Sequence, residues 1–251
     1  MLISLLRRLR SGSIRIGPVH LQWKTTRVLT PSEEQRRIAQ TPPPYKLNLG
    51  PGPNWQPTDE HWLSVDVDPS RADLFADFRS FDGFSLDDES VACIYGSHVF
   101  EHMSLCSAPQ VFRECYRVLQ PGGYMRLVLP DVSRSIEAYI QEEHDFELFK
   151  RRRERAKRRF ELSDYTLFEC LREDFLSLSS QQDLLGPQAL AHQNAWDLET
   201  IKRDLVRAGF KEKRIQKMDF RESQCDHFNF EGKFSSEASA DYRSLYLEAQ
   251  R

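Results

Sequence analysis

The residues whose types and spacing could do chemistry begin with a turn, Asn48-Leu-Gly-Pro-Gly-Pro-Asn54, which closes an apolar run. Asp66 stands at the tip of the next apolar run, sixteen residues after Gly50. Glycines permit a tight turn and close approach of a ligand to the backbone, and a carboxylate at a neighbouring strand tip can accept hydrogen bonds from both hydroxyls of a ribose. The pair implies a nucleoside-containing ligand. Its prolines decide which kind. Such turns hold phosphate through backbone N–H groups, and Pro51 and Pro53 remove two of those donors. The dinucleotide pattern G-x-G-x-x-G is absent because Asn54 and Trp55 follow Gly52, and the Lys and Ser/Thr of a phosphate-binding P-loop are missing. The turn therefore suits adenosine without phosphate. S-adenosylmethionine meets that description, and its sulfonium and ammonium charges suit the acidic stretch from Asp59 to Glu101.

Methyl transfer from a sulfonium is an in-line displacement with a good leaving group, so alignment and exclusion of water can suffice. A base is needed only where an oxygen or nitrogen acceptor must lose a proton. His98, His102, Asp131 and His192 are the candidates, and histidine needs little tuning to act near neutral pH. His192 precedes Asn194 and Trp196, a cluster suited to lining a lid. Each of these histidines could equally be a surface or core residue, and Glu101 reads as structural. The spacing from His98 to His102 shows no third ligand, so no metal is expected.

The elements that must position these residues alternate. Strands are predicted at Lys46 to Leu49, His61 to Val67, Asp73 to Phe78, Val91 to Gly96, Tyr124 to Leu129, Phe210 to Phe220 and Ser244 to Ala249. A helix from Ala108 to Leu119, with Ser107 as a candidate cap, carries Val111, Phe112, Cys115, Val118 and Leu119 on one face and stops at Pro121-Gly-Gly123. Asp197 caps a second, ended by Gly209. Strand, helix, strand at short spacing means parallel strands and right-handed crossovers, hence a doubly wound α/β sheet, mostly parallel and seven-stranded, with a helical insertion.

Six segments in order carry a family resemblance: Leu47-Asn-Leu-Gly-Pro-Gly52, Ser64-Val-Asp-Val-Asp-Pro69, Ala76-Asp-Phe78, Ser97-His-Val-Phe-Glu-His102, Arg117-Val-Leu-Gln-Pro-Gly-Gly123 and Leu127-Val-Leu-Pro-Asp131. The series resembles the class I S-adenosylmethionine-dependent methyltransferases, nearest to their small bacterial branch with an LNLG opening. His192 to Phe220 is similar to that family's late helix and strand, so about two thirds of the chain is covered. The resemblance implies a Rossmann-like methyltransferase fold and a set of roles. Gly50 and Gly52 would pass beneath the methionine part and ribose, with Asn48 at the amino-acid end. Asp66, with Val67 beside it, would take the ribose hydroxyls. Asp77 would accept from the adenine amino group, and the Phe78 amide would meet the ring. Ser97 and His98 would lie by the methionine portion. Asn48 and Asn54 stand where the family usually has an acid and a third glycine. That departure keeps open a module that binds the cofactor without catalysis.

Composition bounds the rest. The 251 residues, 39% hydrophobic and 29% charged, can bury one sizeable core. Thirty-five Lys and Arg against 38 Asp and Glu leave a net charge of -3, so no global field draws the chain to nucleic acid. Residues 1–44 read as a basic arm with a short helix, started by a capping box in Ser32-Glu-Glu-Gln35, ahead of a body over 45–251. Within that body, 132–195 reads as a helical insert or lid, with the basic run Lys150 to Arg159. Leu2, Leu5, Leu6 and Leu9 share one helical face and could give weak peripheral membrane contact through residues 1–10. No run is long enough to span a bilayer. Five widely spaced cysteines without a C-x-x-C pair read as free thiols in a reducing cytoplasm. The expected acceptor is a small molecule or saccharide, with RNA, drawn by the basic run, as the alternative.

Overall fold

Short runs of Leu, Val and Ile, each cut by Gly or Pro, fold into the strands of one sheet in the computed structural model, which describes residues 11–16, 19–24, 30–78, 80–176, 191–231, 233 and 237–251. A separate antiparallel hairpin, β1 (Ser11–Ile16) with β2 (Val19–Lys24), lies in the basic arm. Alternating Ile14, Ile16, Val19, Leu21 and Trp23 around Gly17-Pro18 is its sequence signal, one that attention to the arm's charge passes over. The apolar face of Leu2 to Leu9 lies outside the described residues. Helix α1 (Pro31–Gln40) begins two residues earlier than expected: Thr30 caps it with Glu33 as reciprocal partner, in place of Ser32 and Gln35. Arg37 pairs with Asp73 at 2.6 Å and Glu34 accepts the Phe75 amide, which docks α1 on the sheet edge.

The main sheet contains β3 (Tyr45–Leu49), β4 (Trp62–Asp66), β5 (Leu74–Phe75), β6 (Val91–Ser97), β7 (Leu119–Pro130), β8 (Ile215–Met218) and β9 (Ser244–Gln250). Their spatial order is β5-β4-β3-β6-β7-β9-β8. The first five are parallel, and β9 runs antiparallel to both β7 and β8. The seven-stranded, mostly parallel sheet of the sequence reading is therefore present. Several boundaries move, and the third strand, expected over Asp73 to Phe78, is reduced to Leu74–Phe75. Pro121-Gly-Gly123 lies inside β7, because the strand already pairs at Leu119 with Val91. The long strand expected from Phe210 shrinks to four residues, preceded by a 3₁₀ turn at Glu212–Arg214.

Two helices cover one face. Val111, Phe112, Cys115 and Val118 of α2 (Ala108–Val118) pack with Ile201 and Leu205 of the last helix, residues Leu198–Ala208, over Leu47, Leu49, Ile94 and Leu127. The Ser107 side chain makes no capping bond to α2 and sits in a turn with Ser104. Asp197 does cap the last helix, accepting from the Thr200 amide, and Gly209 ends it at φ +123° where a Cβ would strike Tyr116. The opposite face is covered by an irregular segment whose Cys225, Phe228 and Phe230 meet Tyr95, Val128 and Tyr246. Between these lies Arg126, with no exposed surface. Its donors reach Glu231 at 2.6 and 3.0 Å, Glu248 at 2.9 Å, and the carbonyls of Asp219 and Glu222.

After β7 the chain leaves the sheet for α3 (Val132–Ile140), α4 (Glu147–Phe160) and α5 (Leu167–Arg172), and returns to it at the last helix, α6 (Leu198–Ala208). This insert has its own small core of Ala138, Phe146, Phe149, Ala156, Tyr165 and Cys170. Residues 177–190 of it are outside the described set. The basic run is only partly a solvated face. Arg152 is 3% exposed and bonds Asp174 at 2.6 Å and the Cys170 carbonyl, while Arg155 pairs with buried Glu173.

Breaking a buried ion cluster from one side strands the remaining charges. The substitution Arg126→Met is expected to lower unfolding free energy by about 3–5 kcal/mol, read from the urea midpoint at unchanged slope.

Candidate active site

In an open α/β sheet, ligands sit beyond the carboxyl ends of the strands where the order reverses. Here that point lies between β3 and β6. A cleft of about 320 Å³ opens there, lined by Gly50, Gly52, Pro53, Asp66, Val67, Asp68, Arg71, Asp77, Phe78, His98, Val99, His102 and Met103. Volumes of that order hold small ligands. Seven residues picked out from sequence for cofactor binding, Gly50, Gly52, Asp66, Val67, Asp77, Phe78 and His98, come together on this wall, together with His102 from the catalytic candidates. Asn48 and Ser97 do not line it. Asn48 is 1% exposed inside β3, between Ser64 and Tyr95 in register, and its Nδ2 has no partner among the described residues. Ser97 ends β6 beside Val128.

The turn after β3 is left-handed at both glycines, φ +60° at Gly50 and +69° at Gly52. Gly50 donates its amide to the Val65 carbonyl, and a Cβ on it would lie 2.7 Å from Val99 Cγ2. Gly52 faces open space, with no atom within 4 Å of a Cβ position. One glycine thus lets two strand exits pack, and the other leaves a hollow. Asp66 Oδ1 accepts the Asp68 amide at 2.8 Å, and burial raises the carboxyl's pKa despite lowering by that amide and by Arg71. Arg71 and Asp68 pair at 3.0 Å on the same wall. Neither was given a role in the sequence reading.

At the other end the backbone of His98 is left-handed, φ +49°, a conformation uncommon outside glycine and found at constrained sites. Its amide donates to the Val128 carbonyl, Nε2 lies 3.0 Å from Ser244 Oγ, and Nδ1 lies 3.3 Å from Glu101 Oε1. The ring is pinned from both sides. Burial alone would raise the Glu101 carboxyl, yet the His98 hydrogen bond and the nearby His98, His102 and His192 charges bring it below the usual range. Burial lowers the His192 imidazole, against the pull of Glu101. His192 stands against His102 with ring centres 5.2 Å apart. Its segment is tied down by two amides, Gln193 and Asn194, that donate to the Glu101 carbonyl. Asp131 is elsewhere: it caps α3 through the Arg134 amide and does not line the cleft. Among the described residues, Glu101, His102 and His192 form a cluster whose ligand atoms all lie within 4.8 Å of one another. His98 is not part of this cluster; His102 is joined by its neighbour in sequence and by a residue ninety positions on, a distance no local pattern bridges.

Residues 61–127 match the family model described as a methyltransferase domain. In chain order within the sheet, the strands run 3-2-1-4-5-7-6 with the seventh reversed. Residues 61–127 belong to a methyltransferase domain. Solved structures similar to this methyltransferase include an S-adenosylmethionine-dependent methyltransferase from Archaeoglobus fulgidus (14% identity, 88% of this chain and 92% of that one, TM-score 0.43). Another comes from Mesorhizobium loti (13% identity, 86% and 96%, TM-score 0.42). A third is a possible histamine N-methyltransferase from Thermotoga maritima (14% identity, 87% and 87%, TM-score 0.40). A search of curated proteins by sequence returns no match. The cleft fits S-adenosylmethionine: a hollow at Gly52, carboxylates at Asp66 and Asp77, and prolines where phosphate would need amides.

The two glycines separate backbone strain from steric overlap. Both Gly50→Ala and Gly52→Ala are expected to carry the left-handed penalty of about 1–2 kcal/mol. Gly50→Ala adds the clash with Val99, so its melting temperature falls further, as differential scanning calorimetry of the two variants reads directly.

Proposed function

We propose that this methyltransferase moves the methyl group of S-adenosylmethionine to an oxygen or nitrogen of a small-molecule or saccharide-type acceptor. The observation that carries the reading is one continuous cleft with the glycine turn, Asp66 and Asp77 at one end and His98 and His102 at the other. In this reading Gly50 and Gly52 run beneath the methionine part and ribose, and Asp66 with Val67 takes the ribose hydroxyls. Asp77 and the Phe78 amide take adenine. His98 borders the methionine end from the tip of β6. When bound, the cofactor supplies an electrophilic methyl whose carbon–sulfur bond breaks as the bond to the acceptor forms, the electron pair staying on sulfur.

The chain's own task is then alignment and exclusion of water. His98, held by Ser244 and Glu101, makes a fixed wall, and the end of the insert at Ala191 to Asn194 closes over the histidine end through bonds to Glu101 and His102. A cleft of this size favours an acceptor of modest bulk over a polymer. The arginines of α4 that bond Asp174, Glu173 and the Cys170 carbonyl act as internal clamps, which leaves fewer of them for RNA phosphates than the run suggests. Five free thiols suit a cytoplasmic setting. Among the described residues no helix is long and apolar enough to cross a membrane.

Hydrogen bonds to a charged group are worth about 1.5–3 kcal/mol, so Asp66→Ala is expected to weaken S-adenosylmethionine binding about 10- to 100-fold in titration calorimetry. Release of S-adenosylhomocysteine in the presence of hydroxylated small molecules and saccharides, and its lack with RNA, is the expected turnover pattern. Turnover on RNA alone would overturn the acceptor class.

A further inference from the structure

We propose that Glu101, His102 and His192 bind a divalent first-row transition ion, of the zinc, cobalt or iron(II) class, at the histidine end of the cleft. Three observations converge on it. The ligand atoms of these residues are gathered within 4.8 Å of one another. Glu101 is 1% exposed, and while its Oε1 lies against His98, its Oε2 has no hydrogen-bond partner among the described residues. A buried carboxylate oxygen without a donor is costly and marks a missing partner. The third observation is the orientation of the two imidazoles. His192 Nδ1 lies 2.8 Å from the Asp174 carbonyl, and His102 Nδ1 lies 3.3 Å from the Ala191 carbonyl. A carbonyl oxygen can only accept, so each Nδ1 carries a proton, and the nitrogen each ring has to offer an ion is Nε2. Donation of one ring N–H to a backbone carbonyl is how proteins fix a metal-binding imidazole.

The chemistry of the donor set selects the ion. Two imidazoles with one carboxylate suit zinc, iron, cobalt or nickel, whereas magnesium and calcium prefer oxygen throughout. Three protein ligands leave positions open for an exogenous one. Ligand atoms around such an ion lie about 3.4 Å apart for bonds of about 2.0–2.1 Å, so small rotations of the three side chains complete the site. His102 lines the cleft, which puts the open positions where an acceptor would stand. On the acceptor reading given above, an oxygen of the acceptor takes such a position. The metal site itself does not depend on that reading.

The test uses the full chain, stripped with chelator and reloaded with Zn²⁺ or Co²⁺ alone. The expected result is one ion per chain by elemental analysis after desalting, with visible d–d absorption for Co²⁺. Glu101→Gln, His102→Gln and His192→Gln should each weaken retention at least about 100-fold while circular dichroism remains that of the wild type. S-adenosylmethionine binding, measured in parallel by calorimetry, separates the two readings. A wild-type chain that binds S-adenosylmethionine yet retains no ion, or an ion whose retention survives His102→Gln combined with His192→Gln, overturns the metal site. Ion binding without S-adenosylmethionine binding supports the metal site and overturns the function proposed above.

Discussion

A carboxylate withdrawn from water stays charged only where donors and positive charge surround it, and Glu101 is such a group. It lies in the 3₁₀ turn Phe100–His102 just past β6, almost without exposure. Meeting its requirement gathers much of the site. His98 is drawn against one oxygen from the strand exit, His102 and His192 stand close by, and the Glu101 backbone carbonyl receives the two amides with which the insert returns to the sheet. The insert is therefore anchored at the point where the cleft ends. The buried anion accounts for the place of the His98 ring, and the backbone carbonyl of the same residue for that of the returning segment.

The second organising constraint is the crowding of two strand exits at the reversal of strand order. β3 and β6 are neighbours, and the chain leaves them side by side. Gly50 has no side chain because Val99 occupies that volume, and Gly52 has none because the hollow beyond it is the cleft. The two glycines look equivalent in sequence and serve different ends. On the far face of the sheet, Arg126 and its two glutamates do a comparable job of fixing an irregular covering segment, using all of the guanidinium's directions at once.

Much of the sheet was legible because its evidence is local. Apolar runs of strand length, cut by Gly-Pro, Asp-Pro and Pro-Gly pairs, mark where strands start and stop, and the Asp197 to Gly209 helix carries both its cap and its stop in view. What failed was also local. Ser32 with Gln35 and Thr30 with Glu33 satisfy nearly the same pattern, and only the hydrogen bonds distinguish them. The run from Lys150 to Arg159 reads as a solvated face because helical periodicity cannot say that Asp174 and Glu173, some twenty residues on, lie beneath it.

The sequence alone determined the alternation that makes an α/β sheet, the glycine turn, the carboxylates at Asp66 and Asp77, and through the prolines a preference for a ligand without phosphate. Each follows from backbone freedom or side-chain chemistry within a few residues. The tertiary structure alone decided that His98 is clamped by Ser244, that Asp131 is a helix cap away from the cleft, and that Glu101, His102 and His192 meet. Those facts depend on which distant segments the sheet order and the insert's return path bring together, and spacing along the chain holds no record of that.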